Sequence, residues 1–205
     1  MKTIVFDLGG VLIDWNPEYV FLKEFRGNRE KMNWFFDQIC TSEWNEQQDA
    51  GYPIHKATEE RVALFPKHER LIRMYYGEWE QMLGYEHTGT VELLKKLHQS
   101  PNYSIYALTN WSGETFPVAQ KKFPFLSWFE GIIVSGDEKL KKPDPEIYKL
   151  LLKRYNLDAT DCVFIDDRVD NVEAAVKVGF TGIHFFNHTQ LQKELLNLNI
   201  NVHDI

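Results

Sequence analysis

The chain has 205 residues, 43% hydrophobic and 14% aromatic, enough for one well-cored domain or for a core with an inserted subdomain. Its formal net charge of −7 sets aside a general binder of phosphate backbones, which carries a basic patch or stripe, so nucleic acid is not an expected partner. No apolar run reaches the ~18 residues of a membrane helix, and the stretch Thr3 to Phe6 is too short for a secretory leader, so no membrane association and a cytoplasmic location are expected.

In chain order, the first element is the β-branched run Thr3–Phe6, which closes on Asp7 and leads into Gly9 and Gly10. Residues 15–86 then separate this strand from its successor by far more than a normal crossover. They read as helices: Asn16-Pro17-Glu18 and Ser42-Glu43 are good helix starts, and aromatics recur from Tyr19 through Trp34, Trp44 and Tyr75 to Trp79. A helical, aromatic-rich insertion must bury a small core of its own. Its hinges are expected near Asp14–Asn16 and Gly84–Gly89.

Beyond His87 the pattern alternates. Ser104–Leu108, Ile132–Val134, Cys162–Ile165 and Thr181–Phe185 have the length and composition of buried parallel strands. Between them Val91, Leu94 and Leu97, then Ile147, Leu150 and Leu151 after Pro145, then Val169, Val172, Ala175 and Val176 each mark one helical face. Gly179 stands where a helix C-terminus favours a left-handed residue. The expected fold is α/β, a Rossmann-like parallel sheet formed by residues 1–14 and 87–205, interrupted by a helical insertion at 15–86. Cys40 and Cys162 form no CxxC and no zinc-type spacing with histidine, so neither a disulfide framework nor a structural zinc is expected.

Polar residues stand at or near the ends of three of these strands: Asp7, Thr109-Asn110 and Asp166-Asp167. In an open parallel sheet such ends share one edge, and ligands bind there. A carboxylate at Asp7 followed by glycines can present an oxygen to a closely approaching ligand, or simply cap the next turn. Asp166 and Asp167 can serve as first-turn acids of a helix, yet two adjacent carboxylates at the end of a buried strand repel, and a divalent cation relieves that repulsion. Mg²⁺ is the natural candidate. Lys142 closes the run Lys139-Leu140-Lys141-Lys142 before Pro143; such runs are usually solvated surface. Trp15, Trp44 and Trp111 can stack on a ligand, though aromatics in a helical insertion are more often core. Glu43, Glu46, Tyr148 and the histidines carry no motif, with His55 and His87 read as insertion or hinge residues.

The order of these segments, Asp7-Leu8-Gly9-Gly10-Val11, Thr109-Asn110, Lys142-Pro143 and Asp166-Asp167, resembles that of the haloacid dehalogenase superfamily of hydrolases. The resemblance implies the parallel-sheet core with a helical cap over the site. It implies Asp7 as nucleophile, Lys142 as the charge that neutralises it, and Thr109, Asn110 and Lys142 on the substrate's phosphoryl oxygens. It also implies Mg²⁺ held by Asp7, the backbone carbonyl of Gly9 and Asp166, with Asp167 a ligand directly or through water.

The expected activity is Mg²⁺-dependent hydrolysis of a small phosphorylated metabolite, such as a sugar phosphate, through an aspartyl phosphate, by a monomer or homodimer. One departure stands out. The family pattern has a second aspartate where this chain has Gly9, and in most phosphatases of the family that residue protonates the leaving group. Leaving groups that are already acidic, including anomeric sugar phosphates, are therefore expected to be favoured. Two alternatives are 2-haloacid dehalogenation, which needs no general acid, and a phosphate-binding regulatory protein that keeps the pocket without turnover. Mutase-type transfer is disfavoured by the same missing aspartate.

Overall fold

The computed structural model describes residues 2–201. The chain opens with β1 (Lys2–Phe6) and a short β2 (Ile13–Trp15), followed by α1 (Glu18–Glu24), α2 (Arg29–Gln38), α3 (Ser42–Asp49), α4 (Ile54–Leu64), α5 (Glu69–Gly77) and α6 (Trp79–Met82). After β3 (Leu83–Glu86) and α7 (Thr88–Gln99), β4 (Tyr103–Thr109), α8 (Phe116–Lys122) and β5 (Gly131–Val134) follow. The remainder is α9 (Ser135–Glu138), α10 (Pro145–Tyr155), β6 (Cys162–Asp166), α11 (Val169–Val178), β7 (Thr181–His184) and α12 (His188–Asn197).

The main sheet is five-stranded and parallel, in the order β5-β4-β1-β6-β7. The apolar strands dictate this burial on both faces. Along β1, Ile4 and Phe6 point into one apolar cluster, which also takes Leu94, Leu97, Leu191 and Leu195 from α7 and α12. Val5 points to the opposite face, where Ile147, Tyr148 and Leu151 of α10 and Ala175 of α11 cover the sheet. The order places β1 between β4 and β6, so the chain winds outward on one side and then returns to the other. That switch point opens a crevice at the strand C-termini.

The helix starts have local causes. The Asn16 side chain accepts from the Glu18 amide, Thr41 caps α3 through the Trp44 amide, and Asp144 caps α10 ahead of Pro145. Gly179 ends α11 at φ 114°, in the left-handed region expected of it.

The insertion packs its own aromatic centre, with Phe21 stacked on Phe35 at 5.3 Å and Trp44 edge-on to Tyr75 at 5.3 Å. Its two ends, expected as hinges, pair with each other: β2 and β3 form an antiparallel ribbon with Ile13 opposite Glu86 and Trp15 opposite Leu83. No helix among the described residues is long and apolar enough to cross a membrane.

Candidate active site

Register fixes the first convergence. Phe6 lies beside Ala107 on β4 and beside Ile165 on β6, so Asp7, Thr109 and Asp166 emerge at one edge of the sheet. Asp7 is 7% exposed, and its Oδ1 accepts from the Leu8 amide at 2.7 Å.

Lys142 reaches this edge from the loop before α10. Its fully buried ammonium lies 2.9 Å from Asp7 Oδ1 and 2.6 Å from Asp166 Oδ2, and donates to the Leu108 carbonyl at 2.9 Å. All three donor directions of the lysine are thereby used. Burial alone would pull the Lys142 pKa down; the Asp7 and Asp166 carboxylates outweigh it and the net shift is upward. The Lys139–Lys142 run is therefore not uniform solvated surface. Lys141 is also engaged, forming an ion pair of 2.5 Å with Glu46 of α3.

Burial raises the pKa of Asp7, and Asp166 and Asp167 push it further in the same direction while Lys142 draws it down. Asp167 is likewise raised, by burial and then by Asp166. Behind burial, like charge is crowded here: Asp7, Asp166 and Asp167 each offer an oxygen within 4.8 Å of the others. This donor set of hard oxygens fits a divalent cation such as Mg²⁺. Asp166, expected as a direct ligand, belongs to this group of oxygens and is also the most heavily hydrogen-bonded of the three. Its Oδ2 accepts from Lys142, its Oδ1 accepts from the Arg168 amide at 2.8 Å, and Asn171 Nδ2 lies 3.0 and 3.1 Å from the two oxygens. Asp167 is the acid of this pair that lines the cavity.

The glycines differ sharply. A Cβ at Gly9 would meet nothing within 4 Å, whereas Gly10, at φ 73°, would place a Cβ 2.4 Å from Asp167 Oδ2. Gly10 is the position that shape requires.

Asn110, expected on the phosphoryl oxygens, lines the cavity and is also bonded to the lysine loop. Its Nδ2 donates to the Lys142 carbonyl at 2.9 Å and its Oδ1 accepts from the Lys142 amide at 2.8 Å. The two bonds hold the Lys142 backbone in place and leave the second Nδ2 hydrogen of Asn110 uncommitted by them. Thr109 is buried at the β4 terminus and lines the cavity.

The cavity, of about 340 Å³, lies between this edge and the helical insertion. From the insertion Phe36, Tyr75 and Trp79 supply an aromatic wall, joined by Trp15 and Trp111. Trp44 is core instead, buried against Tyr75 and Tyr76 with its indole donating to the Ala57 carbonyl. His55 is exposed, and His87 sits at the start of α7 outside the cavity. Three polar residues of α3 that the motifs did not single out, Asn45, Glu46 and Asp49, face the site. Glu46 lies 3.6 Å from Arg168 as well as beside Lys141, tying α3 to the core.

A family model described as haloacid dehalogenase-like hydrolase matches residues 1–179. A sesquiterpene phosphatase of Aspergillus oryzae is 27% identical, over 96% of this chain and 96% of its own. A phosphorylated carbohydrates phosphatase of Thermotoga maritima is 26% identical over 92% of this chain and 87% of its own. The fold matches the HAD family enzyme bt-2542 of Bacteroides thetaiotaomicron in its magnesium complex, with a TM-score of 0.71 at 24% identity, covering 91% of this chain and 94% of that one. With the motif residues gathered on one sheet edge and the family model covering most of its length, the chain belongs to the haloacid dehalogenase-like hydrolases.

Proposed function

We propose that the protein is a Mg²⁺-dependent phosphatase acting on a small phosphorylated metabolite. The observation that carries this reading is the Asp7–Lys142–Asp166 bridge with Asp167 beside it, a site that pairs one carboxylate oxygen with a fixed cation and gathers further carboxylates around it. Two relatives that align over most of their length are phosphatases, one of them for phosphorylated carbohydrates.

Asp7 attacks phosphorus in line with the departing oxygen, forming an aspartyl phosphate that water then hydrolyses. Lys142 holds the Asp7 oxygen in place and offsets negative charge on the phosphoryl group, while Thr109 supplies a hydroxyl to it. Asn110 fixes the Lys142 backbone. Asp7, Asp167 and the Gly9 carbonyl would hold Mg²⁺, with Asp166 behind them orienting Lys142 and the start of α11. Bound there, Mg²⁺ neutralises charge on the transferring group. The helical insertion at 15–86 acts as the cap, excluding bulk water and shaping the leaving-group pocket.

Halide displacement from a 2-haloacid is compatible with Gly9, since halide leaves without a proton, but it makes no use of clustered carboxylates beside the nucleophile. The two buried free cysteines support a reducing, cytoplasmic setting. A panel of phosphate esters and 2-haloacids, assayed with Mg²⁺ and with chelator, tests the reading: Mg²⁺-dependent phosphate release is expected, and metal-independent halide release would replace it with the dehalogenase.

A further inference from the structure

The missing aspartate at position 9 leaves the departing oxygen without a proton donor on the core side of the cavity. Across the cavity, Asp49 is the last residue of α3, and the surface it exposes lines the same space as Asp7 and Lys142. Its position is fixed from the core. The Ser135 hydroxyl donates to the Asp49 carbonyl at 2.5 Å and accepts from the Trp111 amide at 2.9 Å, so the end of α3 is pinned beside the Thr109-Asn110 terminus of β4. The Asp49 carboxyl has Asn45 Nδ2 at 3.1 Å and a backbone donor at Ser112. It forms no ion pair among the described residues, unlike Glu46, which is committed to Lys141 and Arg168.

We infer that Asp49 is the general acid and base of this enzyme, replacing from the cap the aspartate that Gly9 lacks. The inference rests on the phosphatase reading. As the Asp7 oxygen bonds to phosphorus and the ester P–O bond breaks, the Asp49 carboxyl gives its proton to the leaving oxygen, releasing an alcohol. The Asp49 carboxylate then takes a proton from the water that attacks the aspartyl phosphate, which regenerates Asp7 and the Asp49 acid and releases phosphate. Other groups in the cavity fit the task poorly: burial pushes the Cys40 thiol up to about 12 and raises the Tyr75 phenol too, and Lys142 is held between two carboxylates.

Burial, with a smaller contribution from Glu46, moves Asp49 up to about 7, while the Ser112 backbone and Lys141 act in the opposite sense. A carboxyl near neutrality is suited to both halves of the cycle. Besides Glu46 and Lys141, the phenols of Tyr75 and Tyr76 on α5 lie near it, and Asp7, Asp167, Lys142 and Arg168 share its cavity.

The test is the dependence of log(kcat/KM) on leaving-group pKa, measured with Mg²⁺ on aryl and alkyl phosphates for the wild type and for Asp49→Asn. The wild type should show a shallow slope. Asp49→Asn, shown to be folded by a melting curve, should lose about 10²–10⁴-fold in kcat/KM on alkyl phosphates and far less on dinitrophenyl phosphate, while kcat falls on both because the aspartyl phosphate then hydrolyses without its base. Its rate on alkyl esters should lose the decline that the wild type shows as pH rises above about 7. Because a side chain at Gly9 meets open space, Gly9→Asp added to Asp49→Asn should recover part of the alkyl-phosphate rate. Equal slopes for wild type and Asp49→Asn, or equal losses of kcat/KM on activated and unactivated esters, would overturn the assignment while leaving the phosphatase reading intact. A wild type that releases no phosphate from any ester would overturn that reading itself.

Discussion

Asn110 and Lys142 are joined by a reciprocal pair of hydrogen bonds, amide to carbonyl and amide to amide oxygen, at 2.9 and 2.8 Å. The side chain of one strand-end residue thus does for the Lys142 loop what a neighbouring strand would otherwise do. Asn110→Ala should leave the fold intact and lower kcat/KM by about 10- to 100-fold, the usual cost of loosening a group that orients a catalytic one. Steady-state kinetics with a melting curve checks this, and Asn110→Asp should not restore the rate, because a carboxylate cannot donate to the Lys142 carbonyl.

Removing the lysine itself is expected to affect stability as well as rate. Lys142→Met would leave Asp7 and Asp166 buried beside each other without their shared counter-charge. A loss of about 3–5 kcal/mol is expected, as for other broken buried pairs. Urea denaturation in chelator measures it, and added Mg²⁺ should recover part of the loss by binding the carboxylates.

Stability should also report on Asp49. Its carboxyl titrates near 7 when folded, against a reference of 3.8, so the folded state holds the proton more tightly than the unfolded one. Between those two values the folded state binds more protons, and stability falls as pH rises through the window. Asp49→Asn removes that dependence. At about pH 8 the variant should be more stable than wild type by on the order of 2 kcal/mol, allowing for solvent in the cavity, and the gap should close near pH 4.

The two glycines give opposite predictions. Gly9→Ala should change stability by less than about 0.5 kcal/mol, since its Cβ meets open space. Gly10→Ala forces a left-handed alanine against Asp167 and should cost about 1–2 kcal/mol in backbone strain alone, with weakened Mg²⁺ affinity. Thermal melts and Mg²⁺ titration separate the two.

These positions also mark how far the sequence could be read. The runs that became β1, β4, β5, β6 and β7 were legible because strands buried on both faces are apolar throughout, and the parallel sheet follows from their alternation with helices. The β2–β3 ribbon was not legible: three or four residues carry no period, and their pairing depends on where the insertion returns. Asp7, Lys142, Asp166 and Asp167 were found through segment order, and the structure brings them together. The bonds of Lys142 to Asn110 and to Asp166 were hidden because these partners lie 32 and 24 residues apart in sequence. Asp49 left no signal at all, being one aspartate at the end of a polar helix that is pinned to the core through Ser135 and the Trp111 backbone.

The central claim is that Asp7 is the nucleophile of a Mg²⁺-dependent phosphatase. Phosphate release from the best ester of the panel, compared between wild type and Asp7→Asn with and without Mg²⁺, tests it most directly. The change is nearly isosteric but removes the attacking charge, so release should depend on Mg²⁺ in the wild type and fall below about 1% of it in the variant. Release by Asp7→Asn at wild-type rates, with mass spectrometry showing that the amide is intact, or full wild-type release in excess chelator, would contradict the account.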